Sequence, residues 1–308
     1  MKVVALAGGT GAAKFLRGLC RVTDPADVTV IGNTGDDLEM WGLAVSPDLD
    51  TVMYTLAGLV DESKGWGLAG DTFACRDAMG QWGQATFFGL GDKDIATHLV
   101  RTERIRAGAS LTQVTDELRR ALGVKSAILP MSDEAVRTHV RTPDGWLAFQ
   151  EFFVRDRCAP AIVDISYDGA DRARPAPGVL EAIAEAKVVI LCPSNPISSV
   201  GPILAVPGIR QALAGTAARV VAVSPIVGQA PVSGPAGKMM AAKGFEVSAL
   251  GVLAVYEGLL DQLVVDSQDA PLVARLETKG VRVLVTASIM TDAEKEKALA
   301  RAVLEGSS

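Results

Sequence analysis

A chain of 308 residues is long enough to bury a large core in one α/β domain or two smaller ones. Hydrophobic residues make up 49% and aromatic residues 5%, so the interior must be built mainly from Val, Ile, Leu and Ala, and any aromatic cluster carries information. A net charge of -6 argues against a nucleic-acid partner, which needs a Lys- and Arg-rich face, and no apolar run approaches the roughly 20 residues that cross a bilayer.

The apolar run Val3 to Ala7 is too short for a signal peptide and reads as a first strand, Lys2 to Ala7. Similar β-branched runs predict strands at Val28 to Ile31, Val188 to Cys192, Val220 to Val223 and Val281 to Val285. Helical patterns follow the first strand, Ala12 to Cys20, and the third, Ile203 to Leu213. Repetition of strand, turn and helix predicts a doubly wound, Rossmann-like α/β fold with a mostly parallel sheet. From about 60 to 125 the pattern turns helical, at Thr72 to Trp82, Asp94 to Arg101 and Leu111 to Leu122, which predicts an insertion in a single domain spanning 1–308. A hairpin is expected at about 135–155, with Arg137 to Arg141 and Trp146 to Val154 extended around the turn Pro143-Asp144-Gly145. The polar end Glu305 to Ser308 reads as a frayed terminus. Cys20, Cys75, Cys158 and Cys192 form no C-x-x-C pair and His98 and His139 are far apart, so neither zinc nor disulfides are indicated and a reducing cytoplasm is expected.

Several turns could carry chemistry. Gly8-Gly9-Thr10-Gly11-Ala12-Ala13-Lys14 follows the first strand and opens the first helix, where backbone N–H groups and the helix dipole favour a phosphate. It is not a Walker loop, since Lys14 is followed by Phe15. The second strand ends in Gly32-Asn33 rather than in an acidic residue, which disfavours ordinary NAD binding. The next residues, Thr34-Gly35-Asp36-Asp37, occupy a strand end where open sheets place ligands, although the same letters also make plain turns.

In Ser46-Pro47-Asp48-Leu49-Asp50-Thr51 the two carboxylates would face one side if the segment were extended, and could share a hard cation; the competing reading caps a helix, Val52 to Leu59, with Asp50 or Thr51. Trp66, Phe73, Trp82, Phe87 and Phe88 could wall a planar heterocycle or simply form the core of the insertion. Pro193-Ser194-Asn195-Pro196 and Ser224-Pro225-Ile226-Val227-Gly228 place small polar side chains at two further strand ends, suited to a nucleotide or to a rigid turn.

Taken in order, GGTGAAK, NTGDD, SPDLDT, GWG, FGLGDKDIATH, the stretch Phe149 to Val154, PSNPISSVGPIL and VSPIVG resemble the 2-phospho-L-lactate transferase family over nearly the whole chain. The resemblance implies transfer of a phospholactyl or phosphoenolpyruvyl group from a guanosine-diphospho donor to the deazaflavin alcohol Fo, releasing GMP, in coenzyme F-420 biosynthesis. It further implies Mg2+ on Asp48 and Asp50, a base at Asp36 or Asp37, and donor phosphates near Gly9, Thr10, Gly11 and Lys14. Asn33 is expected beside the substrates, Ser194 and Asn195 beside guanosine, and Trp66, Phe88 and Asp92 beside the deazaflavin. A homodimer is expected. The alternative is a non-catalytic nucleotide-sugar regulator of the gluconeogenesis-factor type, against which DLDT, GWG and GDKD argue.

Overall fold

In a computed structural model, which describes residues 1–306, seven parallel strands form one sheet. They are β1 (Val3–Ala7), β2 (Val28–Gly32), β3 (Ala127–Pro130), β4 (Val188–Leu191), β5 (Arg219–Val223), β6 (Gln262–Asp266) and β7 (Arg282–Thr286). Their spatial order, 7-6-5-4-1-2-3, runs outward in both directions from β1 and β4, the doubly wound arrangement whose ligand crevice lies where the order reverses. Five of these strands are predicted by the sequence. β3 and β6 are additions.

Alternate residues of the sheet feed two separate cores. Val4, Leu6, Ile31, Val189 and Leu191 belong to one, and Val3, Ala5, Ala7, Val30, Val188 and Ile190 to the other. Each fully buried Val, Ile or Leu stabilises by roughly 1.5–3 kcal/mol, enough in aggregate to carry a site full of buried polar groups.

The helices differ from expectation in instructive ways. The segment Ile203 to Leu213 is not one helix but two, Gly201–Ala205 and Ile209–Gly215, because Pro207 and Gly208 interrupt it. The insertion is helical as expected, with α3 (Ala74–Gln81), α4 (Asp94–Arg106) and α5 (Leu111–Ala121) following α1 (Gly9–Leu19) and α2 (Pro47–Leu56). The hairpin pairs Arg137–Thr142 with Gly145–Ala148, and Asp164–Asp168 joins as a third antiparallel strand. The extended reading of Phe149 to Val154 is overturned: Glu151–Arg155 is a π-helix. Its apolar letters suit a strand, but short apolar runs do not distinguish strand from helix by periodicity. At the carboxyl end, Glu305 closes the helix Ala293–Glu305 rather than fraying, and Ser307 and Ser308 lie outside the described residues. Among the described residues no helix is long and apolar enough to cross a membrane, and the four cysteines are free.

Candidate active site

Register brings the turns together. Ala7 is level with Gly32 across β1 and β2, and Leu6 with Leu191 across β1 and β4, so the turns after these strands emerge side by side at the carboxyl edge. Here opens a cavity of about 600 Å³. A Cβ on Gly8 would lie 2.6 Å from Asp48 Oδ2, and one on Gly11 2.5 Å from the Pro193 carbonyl oxygen. These glycines therefore allow the turns to pack on one another. Gly9 donates its N–H to Asp48 Oδ1 at 2.8 Å, while Thr10 and Gly11, next in the first turn of α1, lie where backbone N–H groups have no carbonyl one turn back. Gly9, Thr10, Gly11 and Lys14 all line the cavity.

The paired carboxylates are arranged differently from the extended reading. Asp48 and Asp50 sit in the first turn of α2, which begins at Pro47 and favours negative charge at its N-terminus. Two residues along a helix turn a side chain by about 200°, so the two acids meet different neighbours. Asp48 Oδ2 accepts from Asn33 Nδ2 at 2.8 Å. Asp50 instead receives both arms of Arg101, a side chain with no exposed surface. Arg101 also meets His98 Nδ1 at 3.1 Å; because a guanidinium only donates, that nitrogen accepts, which leaves the ring proton on Nε2, 3.2 Å from Asp94 Oδ2. Tyr54 donates to Asp94 Oδ1 at 2.6 Å.

Burial dominates the acid turn. It pushes the Asp37 carboxyl up to about 7, against the pull of Arg137 and of the Ser46 hydroxyl, and the Asp48 carboxyl up to about 6. Asp36 is driven well above the ordinary carboxylate range by burial first and then by the charges of Asp48 and Asp37. Asp37 is half-buried as a residue, but its Oδ1 is enclosed, and both that atom and Asp36 Oδ1 have no hydrogen-bond partner. Burial alone would raise the Asp94 acid as well; the His98 ring and the Tyr54 hydroxyl outweigh it and hold that carboxyl below its ordinary value.

The sequence matches the family described as 2-phospho-L-lactate transferase CofD over residues 3–306. The chain belongs to the CofD family. It is therefore a transferase. It is 50% identical to the phosphoenolpyruvate transferase of Kitasatospora aureofaciens, over 99% of this chain and 97% of that one. It is 42% identical to the 2-phospho-L-lactate transferase of Methanosarcina mazei, over 98% and 99%. In fold it is similar to a UPF0052-family protein of Bacillus halodurans, with a TM-score of 0.66 at 18% identity and 98% of each chain covered. The regulator alternative is not favoured, since full-length relatives on both sides of the family are named transferases.

In this CofD-family chain the cavity gathers most of the expected residues: Asp36, Asp48, Asp50, Trp66, Phe88, Ser194 and Asn195 line it with the glycine turn. Three do not face it. Asn33 is fully buried behind Asp48; its Nδ2 serves Asp48 and the Ser198 carbonyl, and its Oδ1 accepts from Gly35, so it holds the acid in place and has no spare group for a substrate. Asp92 is corrected from a ring contact to a helix cap: it accepts from Thr72 Oγ1 and from the N–H groups of Ala74 and Cys75 at the start of α3. Asp37 lies behind the lining, taking the Ser46 hydroxyl at 2.8 Å. Ser194 donates to the Gly8 carbonyl at 2.9 Å and Asn195 Oδ1 caps the following turn, so both side chains stiffen the turns that they line. Sequence reasoning missed Arg101 and His98. Their signal was present, since Asp94, His98 and Arg101 recur at helical spacing on one face of α4. It also missed Phe149, Gln150 and Phe153 as lining residues, because that stretch reads only as one arm of a hairpin.

Proposed function

We propose that the protein transfers a phosphoenolpyruvyl group from a guanosine-diphospho-linked acid to the ribityl hydroxyl of the deazaflavin Fo, releasing GMP, as a step of coenzyme F-420 assembly. The observation that carries this reading is full-length membership of the CofD family together with a cavity whose ionisable side chains all stand on one side. The enolpyruvyl donor is favoured over the lactyl one by identity: 50% to a phosphoenolpyruvate transferase against 42% to a 2-phospho-L-lactate transferase.

In the reaction the Fo hydroxyl oxygen attacks the phosphorus that bears the acid, a new P–O bond forms, and the bridging P–O bond breaks with its electron pair leaving on GMP. Asp36, a lining carboxylate with an unpartnered oxygen, accepts the hydroxyl proton. The N–H groups of Thr10 and Gly11 and the Lys14 ammonium orient the diphosphate.

The lining fits Mg2+ at Asp48: magnesium is commonly held by one or two carboxylates with substrate phosphate oxygens, and Asp48 lines the cavity with Asp36, near enough for its charge to raise the Asp36 carboxyl. Asp50 suits that task less well, because the Arg101 guanidinium on both of its oxygens already neutralises its charge, whereas the donors to Asp48, the Gly9 N–H and Asn33 Nδ2, are neutral. Bound there, the ion would neutralise diphosphate charge as the leaving group departs. A homodimer and a cytoplasmic setting complete the proposal; the first is read by light scattering.

Mass spectrometry of products from Fo and each guanosine-diphospho-linked acid, with and without Mg2+, tests it. The enolpyruvyl adduct of Fo together with GMP is expected, in a metal-dependent reaction. Failure of every donor to modify Fo contradicts the reading.

A further inference from the structure

The second aromatic group of the cavity comes from an unusual piece of backbone. Phe149 and Phe153 both line the cavity, and their rings stack with centroids 5.4 Å apart and planes 14° from parallel. Phe149 just precedes and Phe153 lies within the π-helix Glu151–Arg155, a wide turn that is rare and often found at functional sites. The chain leaves it through Arg157 and Cys158, at φ values of 50° and 56°, which residues with side chains seldom adopt. Three contacts hold this geometry: Gln150 Nε2 donates to the Asp36 carbonyl at 3.2 Å, Ala148 N–H to Glu151 Oε2 at 3.0 Å, and Lys238 Nζ to the Cys158 carbonyl at 2.7 Å.

The two rings are not equivalent. Phe149 is 6% exposed and belongs to the core, whereas Phe153 is 40% exposed. A buried ring thus backs a second one that remains open toward the cavity. Trp66, 42% exposed on the other insertion, is less free: the Lys64 ammonium stands over its ring at 5.6 Å, and Gly89 presses on its edge closely enough that a Cβ there would lie 3.3 Å from the ring.

We propose that Phe153, backed by Phe149, is the platform on which the flat ring of the acceptor stacks. This rests on the reading of the acceptor as a deazaflavin and adds where its ring is gripped. Gln150 ties the platform to the acid turn through the Asp36 carbonyl, so a ring on Phe153 lies beside the turn that takes the hydroxyl proton.

The test is fluorescence titration of Fo into the wild type, Phe153→Ala, Phe153→Leu, Phe153→Tyr and Trp66→Ala, with GDP binding by calorimetry and thermal melting run in parallel. Phe153→Ala and Phe153→Leu are expected to weaken Fo binding by about threefold to tenfold, the range of one aromatic stacking contact. They should raise the KM for Fo and leave GDP affinity within about twofold, whereas Phe153→Tyr should restore binding; Leu keeps the apolar bulk, so its loss reports the ring face. If the wild type binds Fo and the Ala and Leu variants bind it equally well, or if only Trp66→Ala loses it, the platform is overturned and the functional reading stands. A wild type that binds GDP but not Fo overturns both.

Discussion

The two halves of the sheet furnish the cavity with different chemistry. The side built on β1, β2 and α2, with α4 behind it, supplies every ionisable group that lines the cavity: Lys14, Asp36, Asp48, Asp50, Tyr54, Asp94 and His98. The side built on β4, β5 and β7 supplies Ser194, Asn195, Ser198, Ser199, Ser224 and Ser288 and no charge. A charged wall suits the diphosphate, its counter-ion and the proton that must leave. A wall of hydroxyls and amides suits a neutral nucleoside. The difference teaches that one concave surface of this fold can separate a charged wall from a neutral one, simply because strands on either side of the switch point end in different turns.

The contrast can be broken at its strongest point. Arg101→Met should leave the Asp50 charge buried and uncompensated, at a cost of about 3–5 kcal/mol in urea unfolding, and adding Asp50→Leu should return part of that stability. Equal stability of Arg101→Met and wild type would show that the charged wall does not depend on this pair. Asp48→Asn should lower turnover by roughly 100-fold or more while its melting temperature stays near that of the wild type, since it removes the cavity carboxylate proposed to hold the cation against the donor diphosphate. Near-normal turnover in a steady-state assay would move the cation elsewhere.

A subtler test follows from proton binding. A carboxyl whose pKa rises on folding keeps its proton to higher pH in the folded chain than in the unfolded one, so folding loses stability as pH rises from about 4 to the folded value. For Asp37 that value is about 7 and for Asp48 about 6. Metal-free protein should therefore be less stable at pH 8 than at pH 5, and Asp37→Asn should flatten the slope. An unchanged slope in urea titrations at the two pH values would remove Asp37 from the account. The smallest effect is expected at Asp92, where Ala should lower the melting temperature slightly, as for a lost helix cap, with Fo affinity unaltered. Weakened Fo binding would restore Asp92 to the site.

The parts of this design legible in the sequence were those written in local letters. Runs such as Val188 to Leu191 announce a buried strand, and glycine turns after them announce the crevice. β6 escaped because only Leu263, Val264 and Val265 separate two polar residues, and β3 because it is four residues ending in proline. Asp48 and Asp50 were singled out but wrongly oriented, since the helix starts at Pro47, ahead of both. Arg101 pairs with a residue 51 positions away, and no local rule reports such a partner. Asp92 looked like part of a binding motif because capping and ligand binding draw on the same residue types.

The most direct test of the divided cavity is a crystal structure with GDP and Mn2+, located by its anomalous signal. The account predicts the ion against Asp48, beneath the glycine turn, and the guanosine against the Ser194 to Ser199 wall. Guanosine among the carboxylates, or an ion at the opposite edge of the sheet, would contradict it.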